Sequence, residues 1–321
     1  MMRAFDIVAI GEALVDFITR MEDRKLTLEG SAGGAPANLL VQAHKLGNSV
    51  AFVGMVGQDI LGRYLRRELE AFGVDTSCLF STAAATTSAD VIELDEYGDR
   101  SFEFLRAPGA DTLLRYEASL DDLLSTARIL HYGSMSMSRD PMAQTQREVI
   151  KKYKGQILLS CDVNLREMIW DSIPQMLNTA REVASYADIV KMGQEELLTL
   201  TEKTTMDEAL AAFFAENRCS VAAITMGREG SMICTRDSRV FCPPYAVHSR
   251  DTTGAGDSFF GAFLHGMLTL PTGKPPSEEQ LFKIGTFANA AGALSTTVRG
   301  TMLAMPSKAD IDAFMRKTPL L

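Results

Sequence analysis

The sequence predicts an α/β fold: a doubly wound, mostly parallel sheet between two helical layers, with a smaller β-sheet as a lid. Three patterns carry this prediction. Short apolar runs at 5–10, 50–56, 129–132, 157–161, 189–191 and 221–225 alternate with segments of helical periodicity. Glycines and polar side chains follow directly on such runs, at Gly11-Glu12, Asp162-Val163-Asn164, Gly193 and Gly227. Ligands of open parallel sheets bind beyond the carboxyl ends of the strands, so this placement marks one candidate face. Between 87 and 106 the pattern turns to period two, that of a hairpin outside the main sheet.

Taken in order, Asp6 leads into Ile7-Val8-Ala9-Ile10, which reads as a buried strand rather than a signal peptide. Residues 15–18 and 26–28 alternate and suggest two short exposed strands. Gly33-Gly34-Ala35-Pro36-Ala37-Asn38 precedes a helix over 37–46, with Pro36 suited to its first turn and Gly47 to its end. A parallel strand over 50–56 and an amphipathic helix over 60–72, stopped by Gly73, come next. Residues 89–94 and 101–106 alternate around Glu96-Tyr97-Gly98-Asp99. With the strands near 15–28 they can form one small sheet; each pair can equally stand as an edge hairpin. Strands and helices then alternate, with Pro141 and Pro174 marking two helix starts. Residues 232–235 and 239–242 look like an antiparallel pair around Arg236-Asp237-Ser238, and helices near 255–268, 278–297 and 307–316 finish the chain. With no repeat, low-complexity tract or linker, the expectation is one domain over 1–321, its lid formed by about 13–32 and 87–108.

Composition narrows the function. The 321 residues suffice for a large core, and a formal net charge of -9 argues against nucleic acid or an anionic membrane as partner. A nucleotide remains compatible, because a helix dipole binds phosphate on an acidic protein. The five cysteines are scattered without a C-x-x-C pair, which points to reduced thiols, a cytoplasmic location and no zinc site. No apolar stretch reaches bilayer length. His44, His131, His248 and His265 lack metal-ligand spacing.

The chemistry centres on Asp251-Thr252-Thr253-Gly254-Ala255-Gly256-Asp257, followed by the apolar helical run Phe259, Phe260, Phe263, Leu264 and Met267. Gly254, Ala255 and Gly256 open a buried helix whose first amides and dipole suit a phosphoryl group. Asp257 sits just inside that turn, where a carboxylate repels an anion unless it has a proton to accept. This favours a general base for a hydroxyl, while a plain capping Asp on a glycine-rich helix start accounts for the stretch equally well. Neither the G-x-x-x-x-G-K-[ST] loop nor a strand-linked G-x-G-x-x-G occurs, against a P-loop ATPase and a dehydrogenase. Asn38 offers both a donor and an acceptor, which suits vicinal hydroxyls or an exposed turn.

These segments resemble, in order and over nearly the whole chain, both signatures of the ribokinase-like (PfkB) carbohydrate kinases, and most of all the fructokinase branch. The resemblance implies a ribokinase-like three-layer fold and transfer of the ATP γ-phosphoryl group to a primary sugar hydroxyl, that of D-fructose giving fructose 6-phosphate. A kinase for 2-keto-3-deoxygluconate or for aminoimidazole riboside is the alternative, and a non-catalytic sugar- or nucleotide-binding regulator is the reading from another class. Asp257 would be the base, with the amides of Gly254, Ala255 and Gly256 holding charge. Asp16, Gly33, Gly34, Asn38, Arg106 and Arg166 would hold the sugar. Asn164, Lys191, Thr225, Gly227, Gly230, Gly256 and Asn289 would border ATP. Glu196 would organise Mg2+ through water, and the loop of Asp251 and Thr253, with backbone near 298–300, would hold K+. In Asp162-Val163-Asn164-Leu165-Arg166 the usual proline is Val163, which removes a fixed φ but no functional group. Glu12 matches the branch without an assignable role. An exposed lid sheet allows a homodimer.

Overall fold

The computed structural model describes the chain except residues 1–3, 23, 95–99, 106–107 and 272–273. Arg106 and the turn at 96–99 therefore lie outside the described residues. The first half runs β1 (Phe5–Ile10), β2 (Leu14–Glu22), β3 (Lys25–Gly33), α1 (Ala35–Lys45), β4 (Val50–Gly57), α2 (Ile60–Ala71), β5 (Asp75–Thr82), β6 (Ala89–Leu94), β7 (Arg100–Leu105), α3 (Leu120–Leu124) and β8 (Ala127–Gly133). The second half runs α4 (Met142–Tyr153), β9 (Leu158–Asp162), α5 (Ile173–Tyr186), β10 (Ile189–Gly193), α6 (Gln194–Thr201), α7 (Met206–Glu216), β11 (Val221–Thr225) and β12 (Ser231–Cys234). It ends with β13 (Arg239–Cys242), α8 (Ala255–Leu268), α9 (Glu278–Ser295) and α10 (Lys308–Lys317).

The main sheet has nine strands in the order β13-β12-β11-β10-β9-β8-β1-β4-β5. All its pairings are parallel except β11–β12 and β12–β13. Strand β1 shows why the segment folds this way: each of its last four side chains is buried, and they alternate between two cores. Ile7 and Ala9 join Leu39 of α1, Phe260 of α8 and Leu281 of α9; Val8 and Ile10 join Val149 of α4, Val183 of α5 and Phe213 of α7. Helices thus cover both faces, as period-two burial on each side of a parallel strand requires. Burying a large aliphatic side chain fully is worth about 1.5–3 kcal/mol, which makes strands of this kind the fixed frame of the site.

Strand β5 was not foreseen. It is the edge strand beside β4, and its pattern Asp75-Thr76-Ser77-Cys78-Leu79 buries only every third or so side chain, so it lacks an apolar run. Strands β2 and β3 also exceed their expected bounds, pairing antiparallel from Leu14↔Gly33 to Glu22↔Lys25. They join β6 and β7 in a four-stranded sheet ordered β3-β2-β6-β7. Its β2–β6 contact is parallel, with Val15↔Ala89 and Asp16↔Asp90 in register. This small sheet has two unlike faces. Val15, Phe17, Met21, Leu26 and Leu28 share one, on which Met21 and Leu26 are exposed; Asp16, Asp90 and Ser31 share the other. Among the described residues no helix is long and apolar enough to cross a membrane.

Candidate active site

The glycine turn before α8 stands at the carboxyl edge of the main sheet. Gly254 is the N-cap with φ of 77°, a conformation glycine adopts without cost, and no side chain caps the helix. Asp257 is thereby the third helical residue. Of the three small residues, Ala255 has its amide engaged, donating to the Thr252 carbonyl over a long 3.3 Å. The loop ahead is braced by Asp251: its Oδ1 accepts from the Thr253 amide at 2.9 Å and its Oδ2 from the Gly300 amide at 3.2 Å. Beside Gly300, the Thr301 hydroxyl donates to the Ala32 carbonyl at 2.5 Å, tying this loop to the strand that enters Gly33-Gly34.

Lys191 faces the turn. A Cβ on Gly256 would lie 3.0 Å from its Nζ, so only glycine lets the ammonium come this close to the helix start. Nζ also donates to both carboxylate oxygens of Asp162, at 3.1 and 3.0 Å, and the pair is buried. Burial disfavours the lysine cation, yet Asp162, Glu196 and Asp257 outweigh it and hold the pKa above the ordinary lysine value. Burial pushes the Asp257 carboxyl up, against the opposing pulls of Lys191, of a hydrogen bond from Asn38 and of Arg166. The site therefore combines a retained positive charge, a helix N-terminus and a carboxylate with raised proton affinity.

Asn38 connects this centre to the turn at 33–34. It is buried on the first turn of α1, its Nδ2 donates to Asp257 Oδ2 at 2.8 Å, and its Oδ1 is buried without a partner. The exposed-turn reading of Asn38 is thereby displaced. Gly34 has φ of 107°, and a Cβ there would lie 2.6 Å from the Glu12 carbonyl oxygen; a Cβ on Gly33 would strike Asp16 Oδ2. Glu12 accepts a hydrogen bond from the Ser136 hydroxyl, which anchors the loop after β1. Gly34→Ala should therefore lower stability by about 1–3 kcal/mol, measured by denaturant unfolding, because a backbone open to glycine alone meets a backbone oxygen. Unchanged stability would show that the turn relaxes freely.

The loops after β9, β10 and β11 line the same edge. Asn164 adopts φ of 38°, unusual for a residue with a side chain. Glu196 bridges two loops, Oε1 accepting from the Leu165 amide at 2.7 Å and Oε2 from the Gly193 amide at 2.6 Å. Val163 adds a group that proline lacks: its amide donates to the Lys191 carbonyl at 3.0 Å, extending the β9–β10 ladder past Asp162. The replacement thus removes no functional group and adds a donor. Arg166 does not pair with Asp171, which binds Arg139; it is exposed, hydrogen-bonds the Leu165 carbonyl and is felt electrostatically at Asp257. Thr225, Gly227 and Gly230 shape the β11–β12 turn, where a Cβ on Gly230 would strike the Cys242 carbonyl. Asn289 supports the next loop, donating to the carbonyls of Cys242 and Pro243 at 2.9 and 3.0 Å. Asp162 marked the candidate face in the sequence, but its pairing with a buried cation was missed. Its signal was Lys191 itself, a cation in an apolar strand that needs a carboxylate from a neighbour.

A carboxylate with raised proton affinity, a cation and a helix N-terminus converge at the strand ends of a doubly wound sheet, by class a site suited to an anionic group beside a proton acceptor. Comparison with known proteins agrees. The pfkB family carbohydrate kinase profile matches residues 4–308, so the chain belongs to the pfkB family of carbohydrate kinases. It is 34% identical over 318 residues to fructokinase-1 of Zea mays, covering 97% of this chain and 98% of that protein. Among solved structures it resembles fructokinase with bound ATP from Xylella fastidiosa, at a TM-score of 0.88 and 29% identity over 97% of this chain and 98% of that one. It also resembles fructokinase of Vibrio cholerae O395 in a form with fructose, ADP and calcium bound, at 0.85 and 31% over 97% and 99%.

Proposed function

We propose that this kinase transfers the γ-phosphoryl group of ATP to the 6-hydroxyl of D-fructose. The observation that carries the reading is the 2.8 Å link between Asn38 and Asp257, which joins the base at the anion turn to the helix behind Gly33-Gly34. The hydroxyl gives its proton to Asp257, its oxygen forms the new bond to phosphorus, and the bond from phosphorus to the bridging oxygen of the departing ADP breaks. Lys191 and the amides at 254–256 hold the charge that develops. Asp16, Gly33, Gly34, Asn38, Arg106 and Arg166 hold the sugar. The nucleotide lies along Asn164, Thr225, Gly227, Gly230 and Asn289.

Magnesium would be held through water near Glu196, whose oxygens keep outer lone pairs beyond the two amides they accept. Among the described residues no group of three or more His, Cys, Asp or Glu could hold a metal ion directly. When bound, magnesium neutralises phosphate charge. Potassium suits the loop of Asp251 and Thr253, where it would fix the direction of the following amides. The small sheet serves as a lid that excludes water from the acceptor, and its apolar outer face, with Met21, Leu26 and Leu28 exposed, suits a second copy of the chain. The five cysteines are free thiols, in keeping with a cytoplasmic enzyme.

An ADP-release screen over fructose, tagatose, ribose, 2-keto-3-deoxygluconate and aminoimidazole riboside, with and without potassium, tests the assignment. Fructose is expected to give the highest kcat/KM. A clear preference for the sugar acid would replace the acceptor and keep the chemistry, and no turnover with any acceptor would favour a binding protein.

A further inference from the structure

We infer that Gln42 is a positioning residue of the transfer centre: it locks the first turn of α8, and with it Asp257, to the helix that carries Asn38. The inference rests on the reading of Asp257 as base and goes beyond the choice of sugar. Asn38 and Gln42 stand four residues apart on α1, so they share a face. They meet consecutive residues of α8. Asn38 Nδ2 donates to Asp257 Oδ2 at 2.8 Å, and Gln42 Oε1 accepts from the Ser258 hydroxyl at 2.8 Å. Ser258 also closes the turn, its amide donating to the Gly254 carbonyl at 2.8 Å. Holding its hydroxyl from outside the helix therefore fixes how that turn is rotated about the α8 axis. The direction of Asp257 and of the neighbouring amides follows from that rotation.

The other end of the Gln42 amide reaches the segment behind the glycines, Nε2 donating to the Pro306 carbonyl at 3.0 Å. One residue earlier, Met305 packs against the turn: a Cβ on Gly254 would lie 3.2 Å from its Cε. One side chain thus ties α1, the start of α8 and the backing segment together. Gln42 and Ser258 are fully buried, between helices that contribute Leu39, Phe260 and Phe263 to one apolar core. Buried polar groups cost free energy unless bonded, and a leucine would fill this place without that cost. What a bonded polar pair supplies instead is a single arrangement of the elements it joins. The arrangement matters here because a Cβ on Gly261 would lie 2.7 Å from the Leu39 carbonyl oxygen. The two backbones nearly touch, so a small rotation of either helix displaces the base. A shift of about 1 Å at a reacting group can cost on the order of 10²-fold in rate.

The test follows single-turnover and steady-state ADP release, with the best acceptor of the screen, in Ser258→Ala, Gln42→Met and the two combined. Each single variant is expected to lower kcat roughly 3- to 10-fold, the net worth of one hydrogen bond. KM for ATP and for the acceptor should stay within about twofold, because Gln42 orients groups that act on the transferring phosphoryl and its proton. The combination should cost no more than Gln42→Met alone, since the two changes break one shared bond. In an Asp257→Asn background the same substitutions should cost less than about twofold, because no base is left to place. A generally loosened fold would slow both backgrounds alike. An unchanged kcat in Ser258→Ala, losses that add in the combination, or an equal cost without the base overturns the role of Gln42 and leaves Asp257 as base. Should Gln42→Met fail to fold, Ser258→Ala, which removes one buried oxygen, decides by its kcat in the two backgrounds. Near-normal turnover in Asp257→Asn alone is a different failure: the base reading falls, and the positioning role falls with it.

Discussion

Asp257→Asn is expected to lower kcat by roughly 10²- to 10⁴-fold, the usual worth of a positioned base, while ATP and sugar still bind within a few-fold of wild type. Asparagine keeps the volume and an oxygen for the Asn38 Nδ2 donor, whose 2.8 Å bond fixes the side chain. It cannot take a proton at neutral pH, so binding and chemistry separate. Burial raises the Asp257 pKa from its ordinary 3.8, and a base works only when deprotonated. Activity should therefore fall as pH drops, with an acid limb of kcat/KM above the ordinary carboxylate range, and residual turnover in Asp257→Asn should lack that limb. Calorimetric binding and single-turnover rates over a pH series make the comparison. Near-normal turnover in the variant would remove the base from Asp257, whichever sugar is the acceptor.

What the sequence made legible follows from where each residue sits. Strands buried on both faces, such as β1, have no choice but to be apolar runs, and α8 is framed by its glycines and phenylalanines. Edge strand β5 escapes notice because solvent tolerates its Asp, Thr and Ser. The Asp16↔Asp90 register was hidden for another reason: pairing between strands over 70 positions apart leaves no local trace, so Asp90 read as one polar residue in a hairpin. Asp257 and the turn at 33–38 stood out because their glycines are needed for close approach. Glu196 was noticed as an acid on a first helical turn, but its bridging of the Leu165 and Gly193 amides depends on two loops meeting in space. Polar side chains at strand ends therefore announce a site, while their partners emerge only from topology.

The buried Lys191–Asp162 pair separates structure from catalysis most sharply. Lys191→Met should cost about 3–5 kcal/mol of stability, because removing one partner strands the other away from water. The deficit should depend on pH in a defined sense. Burial already pushes Asp162 up to about 7 with Lys191 pulling against it, so losing Lys191 lifts it further above its unfolded value. A carboxyl raised in the folded state binds protons better there, and stability then falls as pH rises from the ordinary carboxylate range through the folded pKa. The loss in Lys191→Met is accordingly greatest above neutrality and shrinks toward pH 4. Adding Asp162→Leu removes the stranded acid and should recover most of the stability, since an apolar pair of similar volume commonly equals a buried ion pair. Activity should not recover with it. The ammonium lies near enough to Gly256 that a single added methyl would touch it, and a methionine supplies no charge for a phosphoryl group at the start of α8. Urea unfolding between pH 4 and 9, alongside kcat for the single and double variants, distinguishes the cases. A double variant both stable and fully active would reduce Lys191 to a packing role; one that is stable and inactive assigns its charge to the reaction.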